Sequence, residues 1–252
     1  MINIILSGSS GTMGRVIAET AKADEGVCVI CGFDKIKDPE CPFPVYENPD
    51  DYDGPADVII DFSHPSALLP LVSYAEARKL PLVEATTGLD GEQLKRLGEA
   101  AEKIPVFRSA NMSVGINLLI KLVKQAAEIL YGDFDTEIIE KHHNLKIDAP
   151  SGTALMLADA IREAADPDAE YVFERHSVRK KRTKNEIGIH SIRGGTVVGE
   201  HEVIFAGNDE IITLSHTALS KKVFAEGAIK AAKRIYGEKP GLYDMNSVID
   251  KK

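Results

Sequence analysis

The residues best suited to chemistry lie between positions 138 and 154, where a histidine pair, a lysine and a small polar cluster follow one another. His142 and His143 end an apolar run that is typical of a β-strand, and Lys146 follows closely. Residues 151–153 then open a segment with helical periodicity. A proton donor, a cation and a helix N-terminus in one short tract indicate a site for a small anionic substrate.

The side chains of this tract are predicted to have separate roles. Neighbouring residues on a strand point to opposite faces, so His142 and His143 differ in role if the strand continues through both. A histidine is a suitable acid near neutral pH, with an unperturbed pKa of ~6.5. Lys146 suits a carboxylate or developing negative charge, and Asp148 could orient this lysine or cap the turn. Residues 151–153 place hydroxyl and N–H groups at a helix start, which is an anion site or simply a cap.

Tandem histidines can also be metal ligands. However, no further histidine or carboxylate follows His142 and His143 at the spacing of a helical metal motif. We therefore predict no metal site in this chain.

A glycine-rich loop after the first predicted strand is typical of a dinucleotide site. Residues 8–14 have the sequence Gly-Ser-Ser-Gly-Thr-Met-Gly and open the first predicted helix. Such glycines let the backbone approach a pyrophosphate, which the helix N-terminus attracts. Asp34 follows twenty residues after Gly14, where a carboxylate can bind the adenosine ribose hydroxyls. Asp34 favours NAD because its charge repels a 2′-phosphate, but Lys35 could accept that phosphate, so the preference leans to NAD or dual use.

Two further loops, residues 61–64 and 84–88, follow later predicted strands. Ligands of open α/β sheets bind at the carboxyl ends of the strands, so hydroxyl and backbone groups there suit the nicotinamide ribose and amide. Each loop, taken alone, is also a common structural turn.

The elements that must position these residues show two patterns. Up to residue 110, short apolar runs alternate with helical segments, which predicts a Rossmann-like, doubly wound parallel sheet. Beyond it, a strand and a helix are followed by three successive strand-like runs, which predicts an inserted α+β domain with a mixed sheet. A final helix, residues 224–236, could return to the first domain. The long helix that begins at residue 114 has four residues as its predicted apolar face: Leu118, Leu119, Leu122 and Val123.

Composition excludes several classes of protein. The chain has 252 residues, of which 44% are hydrophobic and 27% charged, as in a soluble globular protein. Its net charge of −9 argues against a general nucleic-acid binder, and its apolar runs are too short to cross a bilayer. Three cysteines and no recognisable secretory signal indicate a reducing cytoplasm. The basic segment 175–184 is predicted to be a solvated loop, or else a contributor to anion attraction.

Several stretches match motifs that occur together in one enzyme family. Residues 140–154, EKHHNLKIDAPSGTA, closely match the specific motif E-x-H-H-x-x-K-x-D-A-P-S-G-T-A. Residues 8–15 match a nucleotide loop, and residues 85–88, ATTG, match G-T-T-G with alanine replacing the first glycine. Residues 109–115 match an A-x-N-[FM]-S-[VL]-G hinge, and residues 192–201 match R-x-G-x-[IV]-x-G-E-H. The chain thus resembles, nearly end to end, the 4-hydroxy-tetrahydrodipicolinate reductase (dihydrodipicolinate reductase) family.

The resemblance implies an architecture and an activity. Residues 1–112 and 222–252 would form a dinucleotide-binding domain, and residues 113–221 an inserted substrate-binding and tetramerisation domain. The enzyme would use NADH or NADPH to reduce the dehydrated form of (2S,4S)-4-hydroxy-2,3,4,5-tetrahydrodipicolinate, giving (S)-2,3,4,5-tetrahydrodipicolinate in the diaminopimelate route to lysine. The family is usually homotetrameric. The expected partners are therefore a small dicarboxylate and further copies of the chain, without nucleic acid or membrane.

The resemblance also assigns residues by position. His142 would be the proton donor and Lys146 the second catalytic residue. The substrate carboxylates would be held by His143, Lys146, Ser151, Gly152 and Thr153. The nucleotide would be bound by Gly8, Ser9, Ser10, Gly11, Thr12, Met13, Asp34, Lys35, Phe62, Ala85, Thr86, Thr87, Ser109, Ala110, Asn111 and Met112.

One position departs from the family pattern. The family usually has Ser-Arg where this chain has Ser220-Lys221. Lys221 keeps the positive charge of that arginine but loses its bidentate fork.

Two other functions were compared with this hypothesis. A semialdehyde or homoserine-type dehydrogenase is the first, but a semialdehyde dehydrogenase needs a cysteine nucleophile beyond the nucleotide domain, and all three cysteines precede residue 42. A nucleotide-sensing module without turnover is the second, and the intact pair of His142 and Lys146 argues against it. In the favoured reaction, hydride adds to ring C4 of a conjugated imine and His142 protonates the adjacent carbon, while Lys146 stabilises the charge.

Overall fold

The structure, a computed structural model, describes residues 1–36 and 38–250. The chain divides into two compact units: Met1–Val114 joined by the segment that starts at Lys221, and the intervening Gly115–Ser220. We call them unit 1 and unit 2. The predicted boundaries, after residues 112 and 221, differ from these by two residues and by one residue.

The helices and strands follow the two predicted patterns. Unit 1 starts with β1 Ile2–Ser7, α1 Thr12–Lys22, β2 Val27–Phe33, β3 Val45–Tyr46, β4 Val58–Asp61, α2 Leu68–Arg78, β5 Leu82–Glu84, α3 Gly91–Ala101 and β6 Pro105–Arg108. Then come α4 Val114–Leu130, β7 Asp135–His142, α5 Gly152–Ala164, β8 Glu170–Val172, β9 Glu186–Arg193, β10 Gly199–Ala206 and β11 Ile211–Ala218. The chain returns to unit 1 with α6 Lys222–Ile235, β12 Gly241–Tyr243 and α7 Asn246–Ile249.

Unit 1 contains a parallel sheet with helices on both faces. Its strand order is β12-β6-β5-β4-β1-β2-β3, and its strand pairs are parallel. Strand alternation sends Ile4 and Leu6 of β1 into one core, with α1 and α6, and sends Ile5 into the other core, with α2 and α3. This arrangement confirms the predicted Rossmann-like, doubly wound fold. The strand order reverses at β1, which is where ligands bind in such sheets.

The C-terminal helix α6 completes unit 1, as predicted. It packs against α1, and its buried residues share a core with those of β1. A Cβ atom at Gly227 would lie 1.7 Å from the carbonyl oxygen of Met112. Glycine therefore permits the helix to approach the chain at the point where it leaves the first sheet.

Unit 2 contains a mixed sheet in the order β11-β10-β7-β9-β8. β10 is antiparallel to both β7 and β11, whereas β9 is parallel to β7 and β8. Buried residues of α4 and α5 share one core with Ile138 of β7 and Val203 of β10. The predicted α+β unit with a mixed sheet is thus confirmed.

The predicted apolar face of α4 is correct for two residues and wrong for two. Leu119 and Val123 are buried, but the exposed fractions of Leu118 and Leu122 are 45% and 42%. The buried stripe continues through Ile116, at helical spacing from Leu119 and Val123. Leu118 and Leu122 lie one position away from that stripe, about 100° around the helix.

The basic segment 175–184 is a loop, as predicted, but its arginines are not simply solvated. Arg175 Nη1 lies 2.6 Å from the buried carboxylate of Glu186. Arg182 Nε lies 3.2 Å from Glu137 Oε1, and the side chain of this arginine is only 16% exposed. These ion pairs fasten the loop to the sheet of unit 2.

Candidate active site

His142 lies at the end of β7, on the face of the strand that is turned into unit 2. Ile138, Glu140 and His142 alternate with more exposed neighbours along this strand, as strand geometry requires. The strand ends at His142, so alternation does not set the direction of His143. The carbonyl of His143 instead accepts a hydrogen bond from Lys146 N at 3.2 Å, in the turn that follows. His143 Nδ1 is buried and finds no hydrogen-bond partner within the described residues.

Glu140 is the centre of a buried hydrogen-bond network. Its side chain is fully buried, and Oε2 lies 2.6 Å from His142 Nδ1. Arg193 donates to both carboxylate oxygens, at 2.8 and 2.7 Å, and Ser151 N donates to Oε1 at 3.1 Å. Burial alone would raise the pKa of Glu140, but these hydrogen bonds outweigh it and hold the pKa at about 2. Glu140 is therefore an ionised carboxylate at neutral pH.

The imidazole of His142 is enclosed by β10. Its ring centroid is 5.2 Å from that of His201, and the two rings meet edge to face. A Cβ atom at Gly199 would lie 3.1 Å from His142 Nε2, so bare backbone faces that nitrogen. Burial lowers the pKa of His142, and Glu140 opposes this effect by favouring the imidazolium.

His201 joins the network through Ser151, the N-cap of α5. Its Nε2 lies 2.8 Å from Ser151 Oγ, which also accepts a hydrogen bond from Ala154 N at 3.1 Å. Burial lowers the pKa of His201 to about 3, so this imidazole is neutral. Because the Ser151 hydroxyl caps the helix and contacts His201, the start of α5 is held against β10.

The start of α5 leaves room for a ligand. A Cβ atom at Gly152 would meet nothing within 4 Å, and the backbone N–H groups at a helix start are not used by the helix itself. Lys146 Nζ lies 2.8 Å from Asp148 Oδ1, an ion pair through which Asp148 can orient the lysine. Thr153 follows Gly152 in the first turn and is half-buried. A cation and a helix N-terminus thus lie on the segment that follows His142.

The predicted nucleotide loop has the backbone that its glycines permit. Gly8 has φ +76°, and a Cβ atom there would lie 2.6 Å from the carbonyl oxygen of Phe62. A Cβ atom at Gly14 would lie 2.3 Å from the carbonyl oxygen of Gly8. Asp34 Oδ2 accepts a hydrogen bond from Ser10 N at 2.9 Å, so this carboxylate also holds the loop.

An open cleft of ≈ 1250 Å³ lies at the carboxyl edge of the sheet in unit 1. Six of the predicted nucleotide residues line it: Gly8, Gly11, Asp34, Lys35, Phe62 and Thr87. Its size, its glycine-lined wall and the carboxylate at the end of β2 fit a dinucleotide.

Other predicted nucleotide residues lie nearby but direct their side chains elsewhere. Met13 and Met112 pack on the hydrophobic core, and Ala85 is buried in it. A Cβ atom at Gly32 would lie 2.3 Å from Ser9 Oγ, so the Ser9 side chain is turned towards β2. These residues could therefore meet a nucleotide mainly through their backbone atoms.

The remaining predicted residues lie in or beside the loops of unit 1. Thr12 opens α1 and is exposed. Thr86 Oγ1 donates to Asp61 Oδ2 at 3.3 Å, across the ends of β4 and β5. After β6, Ser109 Oγ donates to the carbonyl of Asn111 at 2.7 Å, and the exposed Ala110 lies between them.

A pair of buried carboxyl groups in unit 1 was not predicted. Asp61 and Glu84 are opposite each other in the register of β4 and β5, and both are fully buried. Burial and the neighbouring Asp61 raise the pKa of Glu84 well above its ordinary value. The surroundings of Glu84 therefore favour its neutral form.

In unit 2, sequence reasoning missed Glu140, Arg193 and His201 as site residues. Glu140 could have been found from strand alternation, because it precedes His142 by two positions and so shares its face. Arg193 and His201 are far away in the sequence and reach the site through the pairing of β9 and β10 with β7. Within the described residues, no group of three or more histidine, cysteine or carboxylate side chains is arranged to hold a metal ion.

Comparison with known proteins covers both units. The family model "Dihydrodipicolinate reductase, N-terminus" matches residues 2–112, and "Dihydrodipicolinate reductase, C-terminus" matches residues 115–249. A Caldanaerobacter subterraneus protein named 4-hydroxy-tetrahydrodipicolinate reductase is 54% identical over 251 residues, which cover 100% of this chain and 99% of that protein. A protein of the same name from Clostridium novyi is 51% identical, with 100% of both chains covered.

A solved structure with the same fold gives a third comparison. It is a dipicolinate-bound dihydrodipicolinate reductase from Paenisporosarcina, with a TM-score of 0.83 and 25% identity over 99% of both chains. The full-length relatives and the two family models lead to one conclusion. The chain belongs to the dihydrodipicolinate reductase family.

Proposed function

We propose that this chain is a 4-hydroxy-tetrahydrodipicolinate reductase. It reduces (2S,4S)-4-hydroxy-2,3,4,5-tetrahydrodipicolinate to (S)-2,3,4,5-tetrahydrodipicolinate and water with NAD(P)H, as a step of lysine biosynthesis by the diaminopimelate route. The main observation in support of the proposal is the environment of His142. This histidine is held by a buried carboxylate and is followed by a lysine and an open helix start, in a chain whose full-length relatives have that name.

His142 supplies the proton of the reaction. The reduction adds one hydride and one proton across a carbon–carbon double bond of the dehydrated substrate. His142 Nδ1 is engaged by Glu140, so Nε2 is the nitrogen that transfers the proton to the carbon next to the reduced position. Lys146 balances the negative charge that develops as the enamine forms.

The two carboxylates of the substrate are held by unit 2. Lys146 offers a positive charge, and the start of α5 offers the N–H groups of Gly152 and Thr153 together with the helix dipole. Ser151 fixes that helix start as its cap. His143, whose buried Nδ1 has no protein partner among the described residues, completes the set.

Unit 1 holds the nucleotide. The sixteen residues predicted from the family pattern are proposed to bind it, with the glycine loop at the pyrophosphate and Asp34 at the adenosine ribose. When bound, the reduced nicotinamide supplies the hydride. Both NADH and NADPH are proposed as cofactors, because Asp34 opposes a 2′-phosphate while the exposed Lys35 attracts it.

The enzyme is further proposed to be a cytoplasmic homotetramer assembled through unit 2. Exposed apolar side chains on α4 and β11, namely Leu118, Leu122 and Ile211, support burial of part of this unit in an assembly. Separately, the described chain contains no helix with the length and apolarity of a membrane span. Light scattering coupled to size-exclusion chromatography measures the oligomeric state, and a monomer at micromolar concentration contradicts the tetramer.

The activity is tested by NADH oxidation with freshly generated hydroxy-tetrahydrodipicolinate. We expect turnover that falls by orders of magnitude in His142→Gln and in Lys146→Ala, because the first loses the acid and the second a carboxylate and charge partner. His190→Gln is the matched control, since His190 also pairs with a glutamate, Glu137, at 2.7 Å. Near-normal kcat in folded His142→Gln removes the acid assignment, and no turnover together with tight nucleotide binding favours a sensor.

A further inference from the structure

Glu140 is the shared acceptor of hydrogen bonds from three other residues of unit 2. Its two oxygens accept from His142 Nδ1, from two nitrogens of Arg193 and from Ser151 N. An ionised carboxylate can accept about four hydrogen bonds, so these donors fill its capacity. Arg193 and Ser151 lie 53 and 11 positions from Glu140, so the network joins separate segments of unit 2.

We propose that Glu140 is the positioning residue of the acid: by accepting a hydrogen bond from Nδ1–H it fixes the tautomer and ring orientation of His142, so that Nε2 is the nitrogen from which the imidazolium gives up its proton. The inference rests on the proposed function for its catalytic meaning. The geometry itself does not depend on that function, because the 2.6 Å contact joins two groups on the same face of one strand.

The orientation follows from elementary imidazole chemistry. A neutral imidazole carries one N–H, and the partner of one nitrogen decides which nitrogen that is. Glu140 is a pure acceptor because its pKa is about 2, so His142 must place a hydrogen on Nδ1. Nε2 faces the bare backbone of Gly199 rather than another acceptor side chain, and is left for the substrate.

Arg193 has the opposite electrostatic effect on His142. Glu140 favours the imidazolium, whereas the guanidinium of Arg193 disfavours it, and Arg193 also keeps Glu140 ionised. Lys146 acts in the same direction as Arg193, and the neutral His201 packs on the ring from β10. Burial has the largest effect and lowers the pKa of His142, while Glu140 and Arg193 add opposing effects that can be changed separately.

The same carboxylate joins the acid to the helix start. Glu140 Oε1 accepts the N–H of Ser151, the N-cap of α5, while Oε2 accepts from His142. A ligand carboxylate bound at Gly152 would therefore lie next to Ser151, which is hydrogen-bonded to Glu140, the residue that orients His142. Loss of Glu140 is expected to raise KM as well as to lower kcat.

Two substitutions give pH shifts of opposite sign. In a plot of kcat/KM against pH, the fall at high pH (the alkaline limb) reports loss of the acidic proton from the free enzyme. Glu140→Gln removes the charge that favours the imidazolium, so we expect this limb to move to lower pH by about one unit or more. Arg193→Met removes a cation that disfavours it, so the limb is expected to move to higher pH. A residue with only a structural role would lower the rate without moving the limb.

Glu137→Gln is the matched control. Glu137 lies on the same strand, faces the other way, and also pairs with a histidine and with arginines, at 2.7 Å to His190. We expect Glu137→Gln to lower thermal stability without shifting the alkaline limb. An equal shift in this control would assign the effect to unit 2 in general and overturn the inference.

Nitrogen-15 NMR of His142 in the unmodified chain provides a readout without turnover. We expect the neutral ring to carry its proton on Nδ1, and we expect the Nε2–H form to increase in Glu140→Gln. A neutral wild-type ring protonated on Nε2, or an alkaline limb unmoved by Glu140→Gln, overturns the inference. Absence of reductase turnover in the wild type would instead contradict the proposed function, while the NMR result still decides the pairing.

Discussion

Gly14→Ala tests whether the backbone of the glycine loop is fixed by close packing. Gly14 is buried in the first turn of α1. A Cβ atom there would lie 2.3 Å from Gly8 O, 2.5 Å from Ser9 O and 2.7 Å from Ser9 C. These are backbone atoms and cannot move aside as a side chain would. The loop or the helix must shift by about 1 Å to reach ordinary contact distance.

The net effect on stability combines two opposing contributions. Alanine is favoured over glycine in a helix by ~1 kcal/mol. Overpacking costs ~1–3 kcal/mol, and three close backbone contacts place Gly14 at the upper end. The free energy of unfolding should therefore fall by about 2 kcal/mol, which corresponds to roughly 4–8 °C in Tm for a chain of about this size. Nucleotide binding should weaken as well, because the Gly8–Ser9 peptide that moves belongs to the proposed pyrophosphate site.

Calorimetry and NADH titration check both effects, with Gly98→Ala as the matched control. Gly98 is exposed in the middle of α3, and a Cβ atom there would meet nothing within 4 Å. That variant should gain up to ~1 kcal/mol of stability from helix propensity alone and keep its NADH affinity. A Gly14→Ala protein as stable as the wild type, with unchanged Kd for NADH, would refute the reasoning.

Three further predictions concern single groups. Lys221→Arg restores the bidentate fork of the family and should lower KM for the dicarboxylate; an unchanged KM shows that Lys221 does not contact it. Burial and Asp61 raise the pKa of Glu84. The protonated carboxyl group of Glu84 therefore stabilises the fold below its unfolded-state pKa, and this contribution is lost as the pH rises through its folded-state pKa. Glu84→Gln should therefore flatten the decline of Tm towards alkaline pH, and parallel Tm curves for the two proteins would contradict this. Asp34→Asn removes a charge that repels the 2′-phosphate and should shift the ratio of kcat/KM from NADH towards NADPH, with an unchanged ratio as the contrary result.

The sequence alone determined the type of each unit and the local parts of its site. Alternating and helical periodicities are properties of short segments, so the parallel sheet of unit 1 and the mixed sheet of unit 2 were predictable. The glycine loop and the tract around His142 are also continuous in sequence. The predictable site residues are therefore those whose neighbours along the chain determine their place, such as Gly8, Lys146 and Ser151.

Other features depended on which elements pack together. Leu118 and Leu122 fit an apolar pattern as well as Leu119 does, but only packing decides which side of α4 is buried. The short strands β3, β8 and β12 contain too few residues for a period and form because a neighbouring strand pairs with them.

The proposed acid, His142, was likewise predictable only in part from the sequence. Its residue type, its strand and its lysine were visible in the sequence, and so was the even spacing that places Glu140 beside His142. Arg193, 53 positions from Glu140, and His201, 50 positions from Ser151, reach the network only because β9 and β10 pair with β7. Strand register over such separations has no local signal, yet it decides which charges surround the imidazole. Tertiary structure thus determined how His142 is oriented and how strongly it holds its proton.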